Sequence, residues 1–397
     1  MLDHGLIETD DRLHGFLGAL AGSPWIAVDT EFMREKTYFP QLCLIQIATP
    51  DHVACVDPLA LGDLGPLTAF LHDPAILKVF HAATQDLEVL YQVTGMVPAP
   101  VFDTQVAASL LGYGEQVGYG NLVQVVLGHE LDKTQSRTDW ARRPLRAEQL
   151  DYARDDVRHL VALFLRLHAE LEALGRLAWL QPEMEALTRP ELYRPNPREM
   201  WRRIGGCKRL KPRELAVLRE LAAWREDEAQ RRDRPRRWIL GDDLLLLIAR
   251  ARPANPEALH TLRGYPSGFG QEQSRQVLDA VRRGVEAPRE TWPALSPRSA
   301  PLSDSEEVVA DIAMALLREL SRQQRISAEA VAGRRDVIAL MRGEPDAALA
   351  RGWRRTVAGD EISRWLQGRT ALRCMQDHVA LTGPIAAPEP SPPAPRQ

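Results

Sequence analysis

The sequence predicts an α/β domain built on a mixed β-sheet, followed by two smaller all-α domains. Early in the 397-residue chain, short apolar segments typical of strands alternate with segments of helical periodicity, whereas later segments show helical periodicity only. Two proline-rich stretches separate these parts. The predicted boundaries are 1–188 for the α/β domain, 189–204 and 286–303 for linkers, 205–285 and 304–380 for the all-α domains, and 381–397 for a tail.

The predicted sheet begins with three strands in close succession. The segments WIAVDTEF, QLCLIQIAT and HVACVDP follow one another, and a Pro-Asp turn joins the last two, which predicts an antiparallel meander. A helix at about 62–72, the strand ILKVF, a helix that ends at Gly95 and the strand PVFDT come next. Strands interleaved with helices favour an α/β sandwich with a mixed sheet.

The later parts are predicted to be helical. The segment ANPEALHTLRG has Asn255 as an N-cap and Pro256 at the first helical position. In SEEVVADIAMALLRELSRQQ, a serine followed by acids precedes an apolar stripe, which is a capping signature. The tail is rich in proline and is predicted to be disordered or extended.

The composition argues against several classes of protein. The chain has no run of about 18 apolar residues and no basic segment followed by an apolar one at its start, so we expect no membrane span, no signal peptide and a cytoplasmic location. We also expect a monomer. Its four cysteines form no C-x-x-C pair, which argues against zinc and disulfides. No Gly-Lys pair occurs, and the glycine-rich GYGEQVGYGN lacks the G-x-G-x-x-G register, so no nucleotide cofactor is expected.

Charge is distributed unevenly along the chain. Residues 1–188 hold 13 Lys and Arg against 26 Asp and Glu, whereas residues 189–252 hold 18 against 10. An acidic part followed by a basic part suits a polyanion that the basic part binds while the acidic part supplies metal-binding carboxylates. Ordinary solvated surfaces would produce the same balance, so charge alone leaves both interpretations open.

Two carboxylates lie on what is otherwise an apolar strand. Asp29 and Glu31 are two residues apart, so they project from the same face of the strand. Adjacent carboxylates repel one another unless a proton or a cation lies between them, and oxygen ligands suit Mg²⁺ or Mn²⁺ better than zinc. The alternative is a strand end with solvated acids.

Three further residues strengthen the metal-site interpretation. Asp86 lies in HAATQDLEVL, just after an apolar strand and in the first turns of a helix, where α/β sheets present functional groups. In AEQLDYARDDVRHLVALFLRL, Tyr152 and Asp156 are four residues apart and share one helix face. Asp151 and Asp155 lie about 100° around the helix, so we predict that they face outward.

Together these motifs resemble the DEDD superfamily of 3′-to-5′ exonucleases, in the branch with a tyrosine in its third motif. The segments VDTEFMREKTYFPQLCLIQIAT, HAATQD, SRTDWARRPL and YARDD resemble the ribonuclease D family in order and spacing, over roughly residues 20–175. The resemblance implies a ribonuclease H-like fold and hydrolysis of RNA 3′ ends to 5′-mononucleotides, with precursors of tRNA as substrates. It also implies two divalent ions, Mg²⁺ or Mn²⁺, and catalytic residues Asp29, Glu31, Asp86, Tyr152 and Asp156, of which the four acids hold the metals.

The chemistry of phosphodiester hydrolysis is consistent with this set. Two ions about 3.5–4 Å apart can clamp the attacking and leaving oxygens of an in-line displacement. By analogy with the family, Tyr152 orients the attacking water. A role as general base suits it less, because the unperturbed pKa of tyrosine is about 10.

The resemblance also indicates where nucleic acid binds. Residues 205–285 resemble the HRDC domain, a helical nucleic-acid-binding module, and 304–380 resemble a second such domain. Solvated arginines, or a module that binds protein, are the alternatives. For the whole chain, the alternatives are a DNA-directed exonuclease of the same superfamily and a non-catalytic nucleic-acid-binding protein. The predicted nucleic-acid contacts are Thr30, Phe32, His81, Gln85, Arg231, Arg232, Arg234, Arg236 and Arg237.

Overall fold

The computed structural model describes residues 1–131, 134–135, 138–295, 301–376 and 378–383. Most of the predicted tail therefore lies outside the described residues. The chain divides into two compact units, Met1–Phe102 with Asp132–Val161 and Met184–Ala300, and Asp103–Leu131 with Ala162–Glu183 and Pro301–Gln397. These units do not coincide with the three segments predicted from the sequence, which remain a proposal for the domain organisation.

A six-stranded mixed sheet forms the α/β part, as predicted. The second, third and fourth strands pair antiparallel, which confirms the meander, whereas the first pairs parallel with the fourth and the fifth parallel with the second. The N-terminal strand was not predicted, because its short sequence LDHGLI has no clear alternation. In the order β1-β4-β3-β2-β5-β6, the strands are β1 (Leu2–Ile7), β2 (Trp25–Met33), β3 (Gln41–Ala48), β4 (His52–Val56), β5 (Leu77–Phe80) and β6 (Val101–Asp103).

Helices account for most of the remaining described chain. Among them, none combines the length and apolar character that a membrane span requires. The helices are α1 (Asp10–Ala19), α2 (Gly65–Leu71), α3 (Thr84–Thr94), α4 (Thr104–Leu110), α5 (Tyr119–Leu127), α6 (Ala147–Ala173), α7 (Leu177–Leu187), α8 (Pro212–Arg231), α9 (Arg236–Ile239), α10 (Asp242–Ala251), α11 (Pro256–His260), α12 (Gln271–Glu286), α13 (Asp304–Gln323), α14 (Ala328–Val331), α15 (Arg334–Met341), α16 (Gly352–Arg354) and α17 (Asp360–Leu366).

Local capping signals located several helix ends correctly. Gly95 ends α3 with a φ of 74°, a left-handed conformation that glycine adopts without strain. The side chain of Asn255 accepts a hydrogen bond from the backbone N–H of Ala258 at 2.9 Å, which confirms it as the N-cap of α11. Helix α13 also has a capping box, but Ser303 and Glu306 form it, so the N-cap lies two residues before Ser305, the serine of the predicted signature.

Two segments differ from their predicted character. The predicted linker 189–204 contributes Met200, Trp201 and Ile204, all buried, to the apolar core that α8 and α10 also line. The prolines of this segment favour a linker, but the bulky apolar residues that follow them pack into the core. The predicted all-α segment 304–380 ends in a strand of a two-stranded hairpin, β7 (Ala371–Met375) and β8 (His378–Thr382), because its short apolar runs pair with each other.

Candidate active site

Strand β2 lies inside the sheet, between β3 and β5, and carries the first two acids. Its alternation buries Val28 and Thr30, whereas Asp29 and Glu31 are only half-buried. The pairing of β2 with β3 shifts register between Glu31 and Phe32, directly after the second acid. Both carboxylates therefore project from the strand just before its regular pairing is interrupted. Such irregularities are common near active sites.

Helix α6 brings a third acid to the same place. One carboxylate oxygen from each of Asp29, Glu31 and Asp156 lies within 4.8 Å of the other two. Asp151 and Asp155 are exposed and form ion pairs with Arg154 and Arg158, which confirms their predicted outward orientation. Helical periodicity thus separates the clustered acid from its solvated neighbours.

Burial and mutual repulsion make this cluster costly without a cation. Burial raises the pKa of Glu31, and the charges of Asp29, Asp156 and Asp86 raise it further. Burial likewise raises the pKa of Asp29, with a further contribution from Asp156, and the pKa of Asp156 is also raised, mainly by burial. A compact set of oxygen donors with no histidine or cysteine fits a hard divalent cation.

These shifts predict how Mg²⁺ stabilises the protein at different pH. Because the pKa of each carboxyl group is higher in the folded protein than in the unfolded chain, the folded state binds more protons between the two values. The stability of the metal-free protein therefore falls as the pH rises through that interval, and a cation offsets the loss.

We expect Mg²⁺ to raise Tm by several degrees at about pH 8.5 and by clearly less at about pH 6. Thermal unfolding with Mg²⁺ or EDTA at both pH values measures this difference. Asp155→Asn, which alters a neighbouring exposed acid, should behave like the wild type. An equal shift of Tm at both pH values would contradict the interpretation.

The fourth predicted acid approaches from α3. Asp86 is buried in the first turn of this helix and lies outside the three-carboxylate group, although its charge contributes to the raised pKa of Glu31. The hydroxyl of Thr30 donates a hydrogen bond to its carboxylate at 2.6 Å. The side chain of Thr30, which was predicted to touch nucleic acid, is only 6% exposed. Its hydroxyl orients Asp86.

Tyr152 lies one helical turn before Asp156 and donates a hydrogen bond to it. Burial, followed by the charges of Asp156, Glu31 and Asp29, raises the pKa of this phenol well above its ordinary value. Tyr152 therefore keeps its proton and acts as a hydrogen-bond donor.

An ion pair between Arg143 and the buried Asp57 holds the segment whose Trp140 packs beside this tyrosine. The ring of Trp140, 2% exposed, lies 6.3 Å from the ring of Tyr152, centroid to centroid. Arg143 donates to the Trp140 carbonyl and to both carboxylate oxygens of Asp57, at 2.5 and 2.7 Å. It also donates to the Cys43 carbonyl on β3. The DWARRPL segment is thus fastened to the sheet, and Arg143 is held in an internal contact.

The remaining predicted contacts near the acids lie at strand and helix ends. Phe32 and His81 are half-buried, near the end of β2 and directly after β5, and Gln85 is exposed beside Asp86. Because β2 and β5 are parallel neighbours, with Ala27 opposite Val79, the end of β5 lies beside Asp29. Their contacts with nucleic acid remain predictions.

Comparisons with known proteins agree with this geometry. Residues 5–172 match the family model described as 3'-5' exonuclease, and residues 214–281 match the HRDC domain. Ribonuclease D of Nitrobacter hamburgensis is 42% identical over 378 residues, which cover 94% of this chain and 98% of that protein. The chain belongs to the ribonuclease D family. Ribonuclease D of Gluconacetobacter diazotrophicus is 41% identical over 93% of this chain and 94% of its own.

A solved structure of a family member shows the same fold. The crystal structure of Escherichia coli RNase D, described as an exoribonuclease involved in structured RNA processing, matches with a TM-score of 0.78 and 33% identity, over 91% of this chain and 98% of that one. The expected α/β exonuclease fold followed by helical HRDC-type structure is therefore confirmed. As a member of the ribonuclease D family, the chain is a 3′–5′ exoribonuclease of a superfamily that depends on divalent metal ions.

Proposed function

We propose that this enzyme releases 5′-mononucleotides from RNA 3′ ends, using two divalent ions held by Asp29, Glu31, Asp86 and Asp156. The observation that supports it is the group of three carboxylates within 4.8 Å, with a fourth buried acid tied to the same strand through Thr30. When bound, two Mg²⁺ or Mn²⁺ ions supply an activated water and neutralise charge on the leaving oxygen.

The chain's own residues contribute position and hydrogen bonding. Two of the four carboxylates lie on strand β2, one lies on helix α3 and one on helix α6, so the site is assembled on rigid elements. Tyr152 keeps its proton at Oη, and its hydroxyl, which lies beside Asp156, orients the attacking water. Thr30 orients Asp86, and Trp140 backs the ring of Tyr152.

Precursors of tRNA are the proposed substrates. Oxygen ligands alone do not distinguish RNA from DNA, so this preference rests on family membership and on the HRDC match at residues 214–281. The E. coli relative, an exoribonuclease that acts in structured RNA processing, supports it. We expect the enzyme to act as a monomer in the cytoplasm.

A labelled-strand assay tests the proposal. With Mg²⁺, 5′-labelled RNA should shorten progressively, whereas 3′-labelled RNA should release its label at once as a mononucleotide. EDTA should abolish both, and restored Mg²⁺ or Mn²⁺ should recover them. Activity that survives EDTA would contradict the metal-dependent mechanism, equal rates on a matched DNA strand would favour the DNA-directed alternative, and binding without shortening would favour a non-catalytic protein.

A further inference from the structure

The single turn of α9 presents an unusual surface. Trp238 is 60% exposed and is the only exposed one of the nine tryptophans, all of which the structure describes. The side chain of the preceding Arg237 is 80% exposed. Ile239, on the same turn, is buried in the apolar core of the helical module. Tryptophan in a helical segment more often packs in a core, which is why the sequence did not single out Trp238.

Buried anchors hold this turn in place. Glu226, 1% exposed, accepts two hydrogen bonds from Arg236, at 2.5 and 2.7 Å, and a third from the phenol of Tyr38. The guanidinium of Arg236 also lies over the Tyr38 ring, 4.7 Å from its centroid. The carboxylate of Asp233 accepts hydrogen bonds from the backbone N–H groups of Tyr38 and Phe39 at 2.9 and 3.0 Å. The turn is therefore preorganised and attached to the loop that follows β2.

The structure sorts the five predicted arginines into two groups. Arg231 and Arg232 both donate to Glu228, and Arg236 is held by Glu226. The two others are exposed, and their guanidinium groups make long contacts with described residues, Arg234 with the Lys36 carbonyl at 3.4 Å and Arg237 with Asp242 at 3.3 Å. Both of these guanidinium groups lie within four residues of Trp238. They can exchange such contacts for a phosphate at little cost.

We propose that Trp238 is a stacking platform for an unpaired base of single-stranded RNA, with Arg234 and Arg237 contacting the adjoining phosphates. This inference rests on the proposed action on RNA. Single-stranded nucleic acid is bound by aromatic rings flanked by positive charge, since every base presents a π-face and every linkage a negative charge. A rigid ring loses little conformational entropy on binding, so the anchored turn favours this use.

Binding measurements with the full chain test the platform. In an Asp29→Asn background that prevents cleavage, Trp238→Ala should weaken binding of a single-stranded oligoadenylate of about 12 nucleotides by about tenfold. Trp238→Phe, which retains a ring, should recover most of the affinity. On an abasic strand of equal length, the Asp29→Asn protein and its two Trp238 variants should bind alike, because no base can stack. Unchanged binding of oligoadenylate by Trp238→Ala would overturn the proposal and leave the ring to a protein partner.

Salt dependence separates the ring from the arginines. Arg237→Gln should reduce the slope of log affinity against log salt by about 0.7, whereas Trp238→Ala should leave the slope unchanged. Arg275→Gln on α12 is the matched control, because it also removes one exposed arginine. Arg275 pairs with Glu272 of its own helix. An equal change of slope in both arginine variants would overturn the localised site. Failure of the wild type to shorten RNA would instead refute the proposed function, so the two results are distinguishable.

Discussion

Asp156→Asn is expected to lower kcat/KM for RNA by at least about 10³-fold, because a cation ligand contributes several kcal/mol of transition-state stabilisation. Asp29→Asn should have a similar effect. The thermal stability of the metal-free variants, unlike their activity, should not fall. Since burial and repulsion raise the pKa of Asp29 and Asp156, a neutral amide relieves the cluster, and the EDTA-treated variants should unfold at or above the wild-type Tm.

Two neighbouring substitutions make the comparison specific. Asp155→Asn removes an exposed acid one residue earlier on the same helix, and its rate should stay within about twofold of the wild type. Tyr152→Phe removes one hydrogen-bond donor and should cost about 10²-fold, less than loss of a metal ligand. Initial rates of mononucleotide release at saturating Mg²⁺ measure all four. A loss in Asp155→Asn as large as in Asp156→Asn would contradict the assignment of the site.

Asp57→Ala is expected to lower the free energy of unfolding by about 3–5 kcal/mol. Its carboxylate is fully buried and receives both hydrogen bonds of the Arg143 fork, so the substitution leaves a partly buried guanidinium without its counter-charge. Arg143 also holds the Trp140 carbonyl, and its release should loosen the support of Tyr152 and reduce activity as well.

Urea unfolding curves give the loss in free energy. Asp151→Ala is the control, because it breaks an ion pair whose carboxylate is 68% exposed, and such pairs contribute about 1 kcal/mol or less. Similar losses in the two variants would show that the buried pair has no special importance.

Local geometry explains which parts of the site could be predicted. Alternation along a strand places Asp29 and Glu31 on one face, and the helical repeat places Tyr152 with Asp156 and away from Asp155. These relations depend only on spacing. Spacing within one element does not determine which acids of different elements lie together. That grouping was predicted by the resemblance to a family.

Contacts between distant parts of the chain could not be predicted in this way. Thr30 and Asp86 are 56 positions apart, Asp57 and Arg143 are 86 apart, and Tyr38 and Glu226 are 188 apart. Each such pair joins elements whose docking is decided by the packing of the whole core. The exposure of Trp238 is likewise a tertiary property, because its neighbours in sequence are as compatible with burial of the ring as with its exposure.

Tyr38 joins the exonuclease part of the chain to the core of the helical module. The residue belongs to the exonuclease part of the sequence, yet its side chain is 6% exposed within an apolar cluster otherwise drawn largely from residues 200–285, with Phe39 packed against it. A chain ending near residue 204 would expose both rings to water. Exchanging the HRDC module for another would therefore require a replacement whose apolar core accepts Tyr38 and Phe39.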